Sequence, residues 1–309
     1  MEGENGMKNV LFHPSAFSMP GNFSEALPLY LPRPEYVEVP RKSMEAIEPA
    51  FGLLNINKLR DLLTQKAHAD DVKTFQITQK YKVKESNFPK EMRIIIDVAL
   101  HPGPSHMLAV HGPPDPKEKS FTELPVRMYP VHALYVAAHC AKLAPFPPQI
   151  DTPEGVSEGR EFILPVVFVF SSSPTTFPLL LEYLYRKKAN ILFARLIRLS
   201  KPPATIPGLK RQEQLAISLG TLGSRPQVTQ ILHTLNGFWE NTCSLGVYDN
   251  DLWTAIDSAR NVVLMAMALL HGRLDTKEVI KAAAESLDFS QYKKRLLLSA
   301  GLRPSSFDL

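Results

Sequence analysis

Three histidines, His101, His106 and His111, recur every five residues, with Asp97 and Asp115 close by. Imidazole and carboxylate are zinc donors, but a site needs three or four of them converging tetrahedrally. A five-residue step through a segment rich in proline and glycine does not converge by itself, so loop histidines are expected. His132 and His139 lie seven apart, two helical turns, hence on one face of a helix. Asp and Glu are sparse around them, and capping or packing is the expected use rather than a paired base. Cys140 follows His139, but sequence neighbours on a helix point apart, and its apolar setting suits an inert buried thiol.

Gly155-Val156-Ser157-Glu158-Gly159 fits the G-x-S-x-G nucleophile elbow. That elbow works when a strand feeds a tight turn into a helix. Here a proline-rich stretch precedes it and a strand-like run follows, so an ordinary acidic loop is expected. No P-loop, no dinucleotide-binding glycine motif and no C-x-x-C pair occurs. The expectation is a protein with no catalytic residue, no metal and no cofactor.

The elements that would position these residues can be read from periodicity. Prolines at 14, 20, 28, 32, 34 and 40 forbid a sustained helix in the first 45 residues, while Leu11, Phe12, Phe17, Phe23 and Tyr30 supply apolar anchors. An arm strapped onto the globular part follows. A helix over 44–64 is interrupted by Pro49 and Gly52 and is strongest from Asn57. Strands are expected at 74–83, 92–100, 107–110 and 162–170. The run 92–100 is apolar on both faces and should be central in its sheet. Helices are expected at 131–143, at 175–185 with a serine cap and Pro174 in its first turn, and at 191–199. In the helix 175–185, Phe177, Leu181 and Leu184 should face inward, with Tyr183 and Arg186 to Lys188 outward. Beyond about 205 the chain is helical at 211–219, 227–241, 249–270, 276–287 and 292–300, with the wholly apolar 262–270 at the centre.

Composition narrows the class. Apolar residues make up 44% and charged residues 21%, a globular balance. The net charge of +4 is mild, and its basic groups are short and scattered rather than gathered in a nucleic-acid-binding stripe. Two distant cysteines argue for a reducing compartment. No secretory signal is read at the start, and the longest apolar run is too short to span a bilayer. A soluble protein of the cytoplasm or nucleus is expected.

The order strand, strand, helix, loop, strand, helix resembles the BTB/POZ fold. The matching pieces are PVHALYVAAHCAKLAPF (130–146) and LPVVFVFSSSPTTFPLLLEYLYRKK (164–188). His132, Ala137, Ala138, Phe177, Leu181 and Tyr185 fill the family's signature places, together with His139, Leu180 and Tyr183. Cys140 stands where Ser is usual, and Arg186-Lys187 replaces the usual Thr-Gly. With HPSAFS (13–18) added, the chain is similar to the clampless family of mushroom and smut fungi. That resemblance implies a regulator of clamp-cell and dikaryon development in basidiomycetes that acts with mating-type transcription factors.

The fold expected is α+β, a BTB/POZ-like small mixed sheet backed by helices and followed by an all-α C-terminal extension. Its parts would be an arm and helix (1–70), the BTB/POZ-like domain (71–200) and a helical domain (205–309). The function expected is non-catalytic protein–protein interaction, through a surface of Tyr183, Arg186, Lys187 and Lys188. The partner would be a homeodomain-type mating transcription factor or a second copy. Two rivals stay open: a hydrolase or metal-dependent enzyme with a non-standard site, and a direct DNA-binding regulator using the basic tips near Lys187 and Lys293.

Overall fold

The computed structural model describes residues 31–69, 80–83, 89–96, 103–113, 124–149, 160–198 and 210–270. The described chain begins with helix α1 (Arg41–Glu45), a 3-10 turn (Pro49–Leu53) and α2 (Ile56–Ala69). Strands β1 (Lys80–Val83), β2 (Glu91–Ile96), β3 (His106–His111) and β4 (Leu124–Val131) come next. The short helix α3 (Ala133–Ala137), strand β5 (Arg160–Phe170) and helices α4 (Phe177–Arg186) and α5 (Ala189–Ile197) follow. Helices α6 (Arg211–Leu222), α7 (Arg225–Leu245) and α8 (Asn250–Leu270) complete the described chain. This is the expected mixed α+β architecture with a helical C-terminal part.

The strands hydrogen-bond in the order β1-β4-β3-β5-β2. Every pairing is antiparallel except that of β3 with β5, so the sheet is mixed. β5 changes partner along its length: residues 160–165 pair with β2 and residues 166–170 with β3. Pro165 falls at that changeover. Strand β4 contains two prolines, Pro125 opposite Lys82 of β1 and Pro130 opposite Met107 of β3. Among the described residues each stands where β4 pairs with a single strand, so the missing N–H need not interrupt a two-sided ladder there.

Two expectations are corrected here. β2 lies at an edge of the sheet rather than its centre, and Ile95 is 66% exposed. Its apolar residues on both faces mimic a central strand; Met92 and Ile94 pack inward, against a cluster of Met107, Ala109, Val126, Met128 and Leu164. The expected helix over 131–143 shrinks to α3. Val131 belongs to β4, and beyond Ala138 the chain turns until Cys140 bridges to Val247. Long-range pairing thus overrides good helix propensity. The expected strands 74–79 and 97–100, the boundaries near 70 and 200–205, the loop 155–159 and the helices beyond 270 lie outside the described residues.

Helix ends follow the local chemistry. Asn55 opens α2, its Oδ1 accepting from the N–H of Asn57 at 2.9 Å. Ser224 caps α7 with Pro226 in its first turn. Gly246 ends α7 at φ +66°, and a Cβ there would press on Lys142 at 2.8 Å. That close approach lets the α7 terminus hydrogen-bond the segment after α3, Lys142 N–H donating to the Leu245 carbonyl at 3.1 Å. The serine cap expected for α4 is absent: Thr176 holds the cap position without a side-chain bond to the helix's first N–H groups, and Pro178 rather than Pro174 lies in the first turn.

One continuous apolar core runs from Leu31 to Ala266, taking in α3, the helix-facing side of the sheet, α4, α5 and the C-terminal helices. Helix α8 packs on α5, α6 and α7, with Val262 and Val263 fully buried, as its apolar stretch foretold. The described end of the arm is strapped down. Leu31 and Val39 are buried, Trp239 Nε1–H donates to the Pro32 carbonyl at 2.9 Å, and Arg33 pairs with Asp257 at 2.7 Å.

Candidate functional site

The chemistry-bearing side chains of the α3 region fall into three small networks, each joining separate elements. The first surrounds His132, the residue between β4 and α3. Its backbone N–H donates to Tyr185 Oη at 2.8 Å, and its Nδ1 lies 3.1 Å from the same oxygen. Tyr185 stacks on Tyr135 with ring centroids 4.9 Å apart, and His132 meets both rings edge-on. Burial raises the Tyr185 phenol well above its ordinary range. Beside it, Ser105 Oγ accepts from the Ala133 N–H at 2.8 Å and lies 3.0 Å from His106 Nδ1. His106 Nε2 sits 2.8 Å from the Pro147 carbonyl. A carbonyl only accepts, so Nε2 carries the proton and, in the neutral ring, Nδ1 accepts. Burial holds His106 below its usual pKa, partly offset by that carbonyl.

The second network is centred on Lys187, which closes α4 in a left-handed conformation at φ 51°. Its Nζ is 2.8 Å from Asp249 Oδ2, 3.2 Å from His139 Nδ1 and 5.1 Å from the Tyr183 ring centroid. The other Asp249 oxygen caps α8, accepting from the N–H of Asp251 at 3.0 Å and of Leu252 at 3.3 Å. Nearby, Arg60 Nε–H donates to the Ala138 carbonyl at 2.8 Å. Burial opposes ionisation of Asp249, but the charge and hydrogen bond of Lys187 outweigh it and set the carboxyl below its usual range. Burial, then the charges of Lys187 and Arg60, press His139 well below 6.5. Burial also pushes the Cys140 thiol up to about 12, so it stays protonated at neutral pH. A protonated thiol is a poor nucleophile, and the Lys187 ammonium is committed to Asp249, although burial lowers its pKa against the pull of that carboxylate. This arrangement clamps α4 to α3 and α8.

Asn241 of α7 forms the third, 1% exposed. Its Oδ1 accepts from Ser171 Oγ–H at 2.7 Å and Ser173 N–H at 3.3 Å. Its Nδ2 donates to the Ser173 carbonyl at 2.8 Å and to Thr176 Oγ1 at 3.0 Å. All four partners belong to the turn between β5 and α4.

Expected and observed positions can now be compared. Phe177, Leu181 and Leu184 face inward as expected, and Ala137 and Ala138 are buried in the core. His132 and His139 do not share a helical face, since α3 lies wholly between them, and each is held by a different partner. His106 and His111 stand at opposite ends of β3, His111 stacked on Phe168 at 4.3 Å; His101 lies outside the described residues. Of the four residues expected outward, Arg186 and Lys188 are exposed. Tyr183 is only 3% exposed, and Lys187 turns inward to Asp249. The left-handed turn at Lys187 ends the helical period that placed Lys187 outside, whereas Tyr183 is buried within α4 itself. Ser105, Arg60, Asn241 and Asp249 were not singled out by the sequence. Asp249 alone carries a signal, as an acidic residue just before a long apolar helix.

Among the described residues no group of three or more His, Cys, Asp or Glu is arranged to hold a metal ion. Among the same residues no helix is long and apolar enough to cross a membrane.

Comparison with known proteins adds the family. Residues 34–179 match the model of the clampless protein 1 N-terminal domain, and residues 190–296 that of the clampless protein 1 C-terminal domain. No match is found among curated proteins or among solved structures. Both halves are present in order, and only 1–33, 180–189 and 297–309 are left unmatched; the chain belongs to the clampless protein family.

Proposed function

We propose that the chain is a non-catalytic protein–protein interaction module that regulates clamp-connection and dikaryotic development in a basidiomycete. The observation that carries this reading is the pair of family matches covering both halves. Working in the nucleus or cytoplasm, it would hold a mating-type transcription factor of the homeodomain type, or a second copy of itself. The side chains best suited to catalysis, His106, His132, His139, Lys187 and Cys140, are engaged in packing or in bonds that join elements, which supports surface recognition over chemistry.

A BTB/POZ-like core is part of the proposal. Supporting it is the succession β3, β4, α3, β5, α4, with β5 parallel to β3 and α3 packed on α4. Such a unit works through exposed helix faces and strand edges.

The test replaces the endogenous gene in a clamp-forming host. Loss of the gene should abolish clamp connections. A C140A or H106N protein, shown by its melt to be folded, should restore them. Purified chain should co-elute with a mating-type homeodomain protein or self-associate on size exclusion with light scattering. Folded C140A or H106N protein that fails to restore clamps would favour a catalytic role, and absence of both association and phenotype would reject the proposal.

A further inference from the structure

Helices α4 and α5 meet at the Lys187–Lys188 corner, and a shallow groove, open to solvent, runs between them. Its enclosed space is only about 10 Å³, room for a single water, so it is no cofactor or metabolite pocket and an occupant would lie across it rather than enter it. Half-buried Leu179 and Ile191 contribute its apolar wall. Its polar lining is Glu182, Arg186, Lys188 and Arg195, three cations around a single carboxylate. Glu182 Oε1 takes Arg195 at 3.1 Å and Arg186 at 3.6 Å, while the two arginine side chains remain 55% and 47% exposed. One shared oxygen therefore orients two guanidinium groups, and each contact engages one nitrogen of a five-donor fork. Lys188 makes no ion pair among the described residues and adds a further positive charge at the lip.

We propose that this groove docks an acidic peptide segment bearing an aliphatic residue. The carboxylates would be received by Arg186, Arg195 and Lys188, and the aliphatic side chain would lie against Leu179 and Ile191. The apolar wall favours a peptide over a free anion. A nucleic acid is the poorer fit, because binding one needs a longer basic stripe or exposed aromatic rings, and Tyr183 at this groove is buried. This rests on the interaction reading above and supplies the chemistry of one of its partners.

The test uses the full chain and a fluorescein-labelled helical peptide of about sixteen residues, with Glu throughout and Leu at helical spacing. Anisotropy should report saturable binding that weakens as salt is raised. R186Q/R195Q should weaken binding at least about tenfold, as expected when charge-assisted bonds are lost, while its melt stays close to the parent's. Should that variant unfold, K188Q alone should still weaken binding about threefold. The proposal is overturned if the acidic peptide does not bind, if a Gln-for-Glu peptide binds as well, or if folded variants keep full affinity. It also falls if a labelled DNA duplex binds in an arginine-dependent way and the peptide does not. Homeodomain capture or self-association that persists while the peptide fails would sink the groove alone and leave the interaction reading standing.

Discussion

Lys187 is the residue on which the buried electrostatics turn. Its side chain and that of Asp249 are only 14% and 21% exposed, so removing one leaves the other facing a poorly hydrated surround. Such truncations cost several kcal/mol in full burial. Here, with some solvent access, K187M should cost about 2–3 kcal/mol and lower Tm by several degrees. The double variant K187M/D249N should recover part of the loss, because Asn keeps the oxygen that caps α8 while shedding the charge. A K187M protein that melts like the parent would show the pair to be energetically idle. His139 gives the same cluster a pH signature. Its folded-state pKa lies well below 6.5, so as pH falls past that value the unfolded chain takes up a proton that the folded one refuses. This stability is complete above about pH 6.5 and lost progressively below it. His106 acts in the same direction, and Asp249, lowered from 3.8, adds a further loss in stronger acid. Tm should therefore fall between about pH 7.5 and pH 5, and H139Q should flatten that slope. Equal slopes for H139Q and the parent would mean that burial, together with Lys187 and Arg60, does not keep the imidazole neutral.

At the scale of elements, the joint between the β5–α4 turn and α7 depends on close approach. A Cβ on Gly237 would stand 2.4 Å from Ser173 Oγ and 2.5 Å from Ser173 Cβ. Alanine is the better helix former by about 1 kcal/mol, but overpacking of this kind costs about 1–3 kcal/mol. G237A should be net destabilising, and S173G in the same chain should turn it stabilising relative to S173G alone. If G237A alone raises Tm, the turn yields freely and the contact is not tight. The same joint predicts that N241A costs about 2–4 kcal/mol, since it leaves several buried partners without their bonds. Urea unfolding would measure it, and a loss under about 1 kcal/mol would show that water replaces the amide.

For the whole molecule, the two family models meet at α4, yet α4 packs against α2 and α3 on one side and α5 and α7 on the other. The continuous core makes the halves one cooperative unit. A fragment of residues 1–189 should therefore lack a cooperative melt, and co-expression with 190–309 should restore it. A stable, monomeric 1–189 with a sharp transition would contradict this.

Sequence alone was sufficient for the parts governed by local periodicity and short-range chemistry. The long helices α7 and α8, the buried strand β5, the inward face of α4 and the breaks at Pro49 and Gly52 are all written in residue spacing. The family resemblance, too, rested on residues adjacent in the chain. Tertiary structure alone decided the rest. It ended α3 early by drawing 140–142 onto the α7 terminus, and it made a strand of the proline-bearing 124–131 by pairing it with β1 and β3. It sent β2 to an edge and turned Lys187 inward to an aspartate 62 residues away. Periodicity reports which face of an element is apolar. Which partner that face meets, and where a charge finds its counterion, depends on contacts between residues far apart in sequence.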